Sequence, residues 1–395
     1  MKILMTTLFD PDRRDGITSH ESSIVSSLVR KDPIDEAVVL TKADKGNINL
    51  PAALAQFGRA RLSIFHERRT MTFASIRLLL LYLLGRSGLK FPTRSSIILL
   101  GYHWAFWLPF LRSGRTIVFV PFDCWSAREL RVAADETSFI RKYGRRIFGL
   151  VIRMFEHSSA RYVDLFGFVS REEIDKYIQG LNSALRARVL SRAAILPMVE
   201  YSELKMNREI LAGEISRVLI WMDGRVGYGV KSIAAASRAL ERWMLRDKQK
   251  NITVTLLTRR SDAEMRDILS SASKWNNIEF FEGDLPSFLG TFDIIILPDL
   301  NGSGLKNRAV QSIGSGASVV ATSIAAEGLS GELKAAIHVI GTHDELGESL
   351  DRIFADIEGA RKMACAARGL LALESQETGE RAEFLNKVVL SITAD

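Results

Sequence analysis

The segment Phe292–Leu329 combines the residue types that bind a phosphate group. A buried strand is predicted to run into a loop that contains Gly302 and Gly304, and a helix is predicted to begin at about Leu305. Glycines let the backbone approach a ligand closely, and the free N–H groups at the start of a helix attract an anion. Lys306 adds a positive charge in the first helical turn, where the helix dipole disfavours a cation. A bound phosphate explains this lysine better than a purely structural role does.

The residues after this predicted helix extend the pattern. "GSGASVVATS" predicts a tight turn and a strand, and Glu327 lies in the loop that follows, where a carboxylate can accept hydrogen bonds from two ribose hydroxyls. Three interpretations are open: a structural β-α-β unit with a solvated lysine, a dinucleotide fingerprint, and a nucleotide-sugar site. "GSGLKN" lacks the third glycine of the fingerprint, because Asn307 stands there, and it falls in a late unit of the chain.

Other polar side chains stand where predicted strands end. His103 closes "SSIILLGYH" and Asp123 follows the next strand, so both are expected at the ligand-binding end of the first sheet. Arg259 and Arg260 end "NITVTLLTRR", and one of them is predicted to reach a diphosphate. The six histidines lack the spacing of metal ligands and neither cysteine lies in a CxxC pair, so no metal site is predicted.

Apolar runs alternate with helical patterns along the whole chain, which predicts parallel β-α-β units. In the first half the predicted strands are Lys2–Leu8, Glu36–Thr41, Arg61–Phe65, Ser95–His103, Thr116–Phe122, Asp164–Ser170 and a segment in Ala193–Leu204. In the second half they are Ser216–Gly224, Asn251–Arg260, Asn277–Gly283, Phe292–Asp299, Ala317–Ser323 and Ala336–Gly341.

This alternation predicts two doubly wound α/β domains, each with a Rossmann-like parallel sheet, that face a central cleft. Residues 1–204 are expected to form the first domain, and residues 205–375 the second. Residues 376–395 are predicted to form a helix that packs back on the first domain.

Composition narrows the class of protein further. With 395 residues, 47% of them hydrophobic, the chain is neither disordered nor a small disulfide scaffold. The net charge of +7 is concentrated in residues 51–150, which hold 16 basic and 5 acidic residues among Leu, Phe and Trp. Two interpretations of this stretch are open: core helices whose arginine side chains are solvated, or a patch that docks on an anionic membrane. No nucleic-acid-binding motif is present, so no nucleic acid partner is predicted.

The chain is predicted to be cytoplasmic, in contact with the inner face of the cell membrane. "MKILMTTLFD" lacks the apolar length and the cleavage site of a signal peptide. The longest apolar run, "LLLLYLLG", is far short of the roughly 20 residues that a spanning helix needs.

Taken whole, Phe292–Leu329 resembles the donor-binding region of family 4 glycosyltransferases with the GT-B fold. It is most similar to the bacterial exopolysaccharide branch, whose pattern reads "GSGLKNKVLEAMAAGKPVVATPIGAEGL". Weaker similarity extends to "PFDCWSARELR", to "MFEHSSARYVDLFGFVSREEIDKYI" and to the opening "MTTLFDPDRRDGITSHESSIVSSL".

The resemblance implies that residues 1–204 form the acceptor and membrane side and residues 205–375 the donor side. His103 is then the first candidate for contact with a sugar or acceptor, and Asp123 for an acceptor-side polar group or base.

The resemblance also implies a role for individual residues of the donor site. Gly16 would lie in the glycine loop that approaches the donor diphosphate, Ser303 and Gly304 would donate backbone N–H groups, Lys306 would supply the cation and Glu327 would bind the ribose. The predicted donor-binding set is therefore Gly16, Arg259, Arg260, Gly302, Ser303, Gly304, Leu305, Lys306, Gln311 and Glu327.

The implied activity is transfer of a sugar from a nucleotide-diphosphate donor to a lipid-linked glycan acceptor. The resemblance also implies that the reaction needs no metal or other cofactor and retains the anomeric configuration. Many relatives carry two glutamates where this chain has Ser303 and Gln311. Glutamine keeps hydrogen-bonding capacity but brings no charge. This difference leaves two alternatives open: a degenerate relative that binds a nucleotide sugar without turnover, and a sugar-nucleotide epimerase of similar two-domain shape.

Overall fold

A computed structural model describes residues 1–8, 24–25, 28, 34–41, 59–66, 71–111, 114–122, 124–196, 217–222, 227–246, 252–257, 277–279, 285–302, 304–376, 384, 386 and 388. The chain divides into two compact units, Met1–Val199 with Thr378–Asp395, and Glu200–Glu377. Each unit is built around one parallel sheet.

The first unit holds the larger sheet. Its strands are β1 (Lys2–Leu8), β2 (Glu36–Thr41), β3 (Arg61–His66), β4 (Ser96–Leu100), β5 (Thr116–Val120), β6 (Leu165–Phe168) and β7 (Ala193–Ile195). Its described helices are α1 (Met71–Leu83), α2 (Leu108–Leu111), α3 (Trp125–Ala134), α4 (Phe139–Ser159), α5 (Arg171–Ile178) and α6 (Ser183–Arg192). A 3₁₀ helix, Tyr102–Trp107, precedes α2.

The second unit repeats the plan. Its strands are β8 (Arg217–Trp221), β9 (Thr253–Leu257), β10 (Asn277–Glu279), β11 (Ile294–Leu297), β12 (Ser318–Thr322) and β13 (His338–Ile340). Its described helices are α7 (Gly227–Arg246), α8 (Leu285–Leu289), α9 (Asn307–Gly314), α10 (Gly331–Ala335), α11 (Leu346–Ala355) and α12 (Ile357–Gln376).

Both sheets are wound in two directions from their first strand. The orders are β3-β2-β1-β4-β5-β6-β7 and β10-β9-β8-β11-β12-β13. The chain therefore reverses its direction across the sheet between β1 and β4 in the first unit and between β8 and β11 in the second. In open parallel sheets ligands bind outside the carboxyl ends of the strands at this switch point.

The central strands are mostly apolar because helices cover both faces of a parallel sheet. In β11, Ile294 and Ile296 join the core on one face, whereas Ile295 and Leu297 join the core on the other. All four side chains are buried. The predicted fold class, two α/β domains with doubly wound parallel sheets, is confirmed.

The end of the chain contacts the first unit. Phe384 and Val388 are buried. A side chain at Gly167 in β6 would lie 3.0 Å from the ring of Phe384 and 2.5 Å from Leu196. Glycine at this position therefore leaves room for the C-terminal segment against the sheet.

Among the described helices, none is both long enough and apolar enough to cross a membrane.

Candidate functional site

The loop Pro298–Lys306 follows β11 at the switch point of the second sheet. Gly302 has φ 130° and Gly304 has φ 74°, in the region that favours glycine. Helix α9 begins at Asn307, and Lys306 is its N-cap residue with extended backbone. The prediction that the helix begins at Leu305 with Lys306 in its first turn is wrong by about half a turn, because Lys306 still has the extended conformation of the loop.

The first turn of α9 offers its N–H groups to this loop. The described residues provide neither a capping side chain nor an acidic residue in the first turn. Within the described part of the chain, no carbonyl accepts a hydrogen bond from the N–H groups of Asn307 and Arg308. Unsatisfied N–H groups of this kind carry the positive end of the helix dipole.

The ammonium group of Lys306 is folded across the same loop. Its Nζ donates a hydrogen bond of 2.7 Å to the carbonyl of Gly304. A Cβ at Gly302 would lie 3.2 Å from Cε and 3.4 Å from Nζ of this lysine. Gly302 therefore allows the half-buried cation to lie against the backbone of the loop, where it adds to the charge of the helix start.

The turn after β12 packs directly on this loop. Gly328 has φ 89°, and a Cβ there would lie 2.7 Å from Cα and 2.8 Å from the N atom of Leu305. Real side chains do not tolerate such distances, so this approach requires glycine. The close contact joins the residue after Glu327 to the residue before Lys306, which brings two predicted site residues from different strands together.

Hydrogen bonds of polar side chains hold the loop Pro298–Lys306 in place. Asp299 is buried, and its Oδ1 accepts a hydrogen bond of 2.5 Å from Nη2 of Arg308 in the first turn of α9. The backbone oxygen of Asp299 accepts from Oγ1 of Thr322 at 2.7 Å, and that hydroxyl accepts from the N–H of Ala325 at 3.1 Å. The loop after β11, helix α9 and the turn after β12 are thereby tied into one piece.

Two further elements hold the same loop. Leu300 N donates to Oγ of Ser232 in α7 at 3.0 Å. Nε2 of His343, in the 3₁₀ helix His343–Glu345, donates to the carbonyl of Pro298 at 3.0 Å. Burial lowers the pKa of His343, against smaller opposing contributions from this hydrogen bond and from nearby carboxylates, and so favours the neutral ring.

Sequence reasoning missed these anchors. Asp299 directly follows a buried strand, which is a signal that could have found it. Thr322 ends a buried strand and carries a similar signal, whereas Ser232 and His343 carry none, because they lie in helices of the unit.

Gln311 lies in α9, one turn after Asn307, and is half-buried. The structure thus places Gly302, Gly304, Leu305, Lys306 and Gln311 on one loop-helix segment, with Glu327 on the turn that contacts it. The other predicted residues of the donor site, Gly16, Arg259, Arg260 and Ser303, lie outside the described residues, as does Asp123.

In the first unit the prediction that His103 closes a strand is wrong. Strand β4 ends at Leu100, Gly101 adopts φ 101°, and the chain turns into the 3₁₀ helix that contains His103. The ring of His103 is buried, with its centroid 4.0 Å from that of Tyr102 and 5.7 Å from that of Trp125. Its contact with a sugar or acceptor stays a prediction.

A cluster of buried carboxylates after β5 was also missed. Glu156 of α4 accepts hydrogen bonds from Oγ of Ser126 at 2.5 Å and from its N–H at 3.2 Å. Glu173 of α5 accepts from the N–H of Cys124 at 2.6 Å and from Nζ of Lys176 at 2.6 Å. No signal in the sequence of α4 marks Glu156, because the buried residues that share its face are small or polar apart from Ile152.

A tyrosine closes this carboxylate cluster. Tyr177 donates its hydroxyl proton to the backbone oxygen of Glu156 at 2.8 Å and also contacts Ser159. Burial raises the pKa of Tyr177, which keeps the hydroxyl protonated. Among the described residues, no group of three or more His, Cys, Asp or Glu side chains is arranged to hold a metal ion.

Two parallel-sheet α/β units with these strand orders have the fold of GT-B glycosyltransferases, and solved structures of that class match the chain over nearly its whole length. Anabaena Alr3699/HepE in complex with UDP-glucose has a TM-score of 0.64 and 13% identity, with 100% of both chains covered. WaaG, a glycosyltransferase involved in lipopolysaccharide biosynthesis, has a TM-score of 0.65 and 15% identity over 99% of this chain and 100% of its own.

An E. coli structure of the trehalose-6-phosphate system, bound with UDP-2-fluoro glucose, has a TM-score of 0.62 and 14% identity over 98% of each chain. No family profile and no curated protein sequence matches the chain.

Proposed function

We propose that the protein is a glycosyltransferase that moves a sugar from a nucleotide-diphosphate donor to a glycan acceptor. The observation that carries this proposal is the contact of Gly328 with Leu305, which joins the Lys306 loop and the Glu327 turn at the switch point of the second sheet. HepE was solved with UDP-glucose, and the E. coli structure with UDP-2-fluoro glucose, which supports a nucleotide sugar as the donor class.

The charges of the site suit the bond that must break. Cleavage between the anomeric carbon and the diphosphate leaves negative charge on the departing phosphate and oxocarbenium character on the sugar. Lys306 and the N–H groups of Asn307 and Arg308 would lie beside that phosphate and stabilise the charge as it develops. Because the anchors already hold the loop, little reorganisation would be required at the moment of reaction.

The remaining residues divide recognition of the nucleotide between them. Glu327 would accept hydrogen bonds from the ribose hydroxyls, and Gln311 would bond to the nucleotide without adding charge. The transfer is proposed to retain anomeric configuration and to need no metal, because cations and helix N–H groups balance the diphosphate. The proposed acceptor is a lipid-linked glycan at the inner face of the cell membrane.

Calorimetric binding of UDP tests the site. Lys306→Ala should weaken binding by about 1–3 kcal/mol, the size of a lost charge-assisted hydrogen bond. Lys362→Ala, which removes an exposed lysine from α12 of the same unit, is the matched control and should bind UDP like the wild type. Equal affinity in wild type and Lys306→Ala would refute the phosphate site.

Turnover separates this proposal from the alternative suggested by Gln311, a relative that binds a nucleotide sugar without using it. Purified protein is incubated with a panel of UDP-sugars, with and without lipid-linked glycan. Release of UDP that depends on the acceptor supports transfer, whereas UDP binding with no release supports the degenerate relative. Interconversion of the donor sugar without any acceptor would instead identify an epimerase.

A further inference from the structure

Helix α4 (Phe139–Ser159) exposes most of its large apolar side chains to solvent, whereas a core helix buries them. The buried residues of α4 are Gly149, Ile152, Glu156 and Ser159, and apart from Ile152 they are small or polar. Two large apolar side chains also pack inward, Phe148 on Trp125 and Phe155 on Phe106. Phe139 is 71% exposed, Ile140 83%, Ile147 62%, Leu150 57% and Met154 63%. An ordinary surface helix shows the opposite pattern, with its apolar stripe toward the core.

The inner face of α4 is fully used. It packs along α3, and a Cβ at Gly149 would lie 3.0 Å from Cγ of Leu130. The ring of Phe148 meets that of Trp125 edge-on at 5.3 Å. The exposed apolar residues therefore do not result from a poorly packed helix, because α4 is held firmly on its other side.

The exposed residues form one continuous stripe. Ile140, Tyr143, Ile147, Leu150 and Met154 recur at intervals of three and four residues, so they lie on one side of the helix. From Ile140 to Met154 the stripe is roughly 21 Å long. Five large apolar side chains in a row exceed the scattered apolar residues that a protein surface normally shows.

The charges of α4 identify what covers this stripe. The helix holds five basic residues, Arg141, Lys142, Arg145, Arg146 and Arg153, and a single acidic one, Glu156, which is buried on the inner side. Arg145 is paired with Glu129 at 3.0 Å. Arg141 and Arg146 are exposed, and neither has an acidic partner within the described part of the chain.

We infer that the outer stripe of α4 docks on an anionic lipid surface. Its apolar side chains would enter the boundary between headgroups and acyl chains, while Arg146 beside the stripe meets the headgroup phosphates. A second copy of the chain is the less favoured occupant, since two such helices would bring basic flanks together. This inference deepens the proposed function, because it would place the protein at the surface that holds a lipid-linked acceptor.

Flotation of the full-length protein with vesicles tests the inference. Phosphatidylcholine vesicles with about 30% phosphatidylglycerol should bind the protein, and pure phosphatidylcholine vesicles should bind it much less. Binding should also weaken as salt is added, because the basic residues meet the surface in water. Absence of binding to the anionic vesicles, or equal binding to both, would overturn the inference.

Two variants locate the contact. The double substitution Ile147→Ser with Met154→Ser should lower the vesicle partition coefficient roughly tenfold or more. Replacing Arg146 with glutamine should lower it by about fivefold. All three side chains are exposed, so the thermal unfolding midpoint should stay at the wild-type value, which confirms that each variant folds.

The matched control removes apolar side chains that are equally exposed in the second unit. Leu245 is 54% exposed and Leu373 60%, so Leu245→Ser with Leu373→Ser should bind vesicles like the wild type. Unchanged binding of the Ile147→Ser, Met154→Ser variant would contradict the inference. A wild-type dimer in light scattering that this variant dissociates would also contradict it and would make a second copy the occupant.

The vesicle assay is independent of the proposed activity. UDP affinity, measured on the same proteins, should be equal in the wild type and in the stripe variants. Vesicle binding without UDP binding would refute the nucleotide site alone, and UDP binding without vesicle binding would refute the lipid surface alone.

Discussion

The two sheets share one strand order through their first six strands, yet their carboxyl edges past the switch point are built differently. In the second unit the loop after β11 presents glycines, a half-buried lysine and the start of α9. In the first unit the chain after β4 turns at Gly101 into a 3₁₀ helix that buries Trp104, Phe106 and Trp107.

The carboxylates of the two edges differ as well. Behind β5, Glu156 and Glu173 are buried and are occupied by N–H and hydroxyl groups of Cys124 and Ser126. At the second edge Glu327 is half-buried. Identical topology thus positions an edge without deciding its chemistry, which depends on the side chains that fill it.

The largest expected effect comes from Gly328→Ala, which disrupts the contact between the two loops at the carboxyl edge of the second sheet. Its Cβ would lie 2.7 Å from Cα of Leu305, and φ 89° is strained for alanine. The loop or the turn must move, at a cost of about 2–4 kcal/mol. Thermal unfolding should show the lost stability, and calorimetry should show weaker UDP binding.

Gly331→Ala is the control for this substitution. Gly331 lies three residues further along, with nothing within 4 Å of a new Cβ. Its unfolding free energy should change by less than about 0.5 kcal/mol. A Gly328→Ala protein with wild-type stability and UDP affinity would show that the two loops need no such contact.

Glu156→Ala disrupts the buried carboxylate cluster of the first unit. It removes the acceptor of two hydrogen bonds from Ser126 and leaves those donors buried, at a cost of about 2–3 kcal/mol. Because this cluster belongs to the first unit, UDP affinity should not change. Urea unfolding and calorimetry on the same protein measure both quantities.

An exposed acid of the same unit provides the control. Asp175 pairs with Arg171 at 3.7 Å on the surface of α5, and Asp175→Ala should change stability by less than about 0.5 kcal/mol. A loss of UDP binding in Glu156→Ala would show that the first edge also holds the nucleotide, and the contrast between the edges would then be wrong.

The elements were predictable because each buried strand is a local apolar run between polar residues. β1 and β2 have the predicted limits, Lys2–Leu8 and Glu36–Thr41. The strand predicted over Ser95–His103 was too long, because Gly101 with φ 101° starts a 3₁₀ helix whose apolar residues look like a continued strand. Apolar composition alone cannot separate these two conformations.

The described residues that were predicted for the candidate donor site all lie in the single stretch Phe292–Leu329. Gly302, Gly304 and Lys306 stand together and their types indicate a phosphate loop. The residues that hold this loop in place are spread along the chain, from Ser232 in α7 to His343 near β13. They reach the loop through hydrogen bonds between distant elements. The sequence around Ser232 and around His343 gives no indication that either side chain contacts the loop.

The smallest expected effect is a pH dependence of the second edge through His343. The ring is buried and donates to the carbonyl of Pro298 at 3.0 Å. Burial lowers its pKa most, and Arg238 adds to the shift, while the Pro298 hydrogen bond, Asp344 and Asp299 oppose it. The unfolded chain therefore takes up a proton at a higher pH than the folded chain does.

The free energy of unfolding should accordingly be steady above about pH 7 and should fall as the pH drops below about 6.5, the ordinary pKa of histidine. His343→Gln keeps an N–H donor for the carbonyl of Pro298 and cannot take up a proton, so its stability should fall less over the same range. His157 and His338, whose pKa values burial also lowers, titrate in both proteins. The difference between the two urea-unfolding profiles therefore isolates His343, and parallel profiles would show that its ring does not hold the loop in the neutral form.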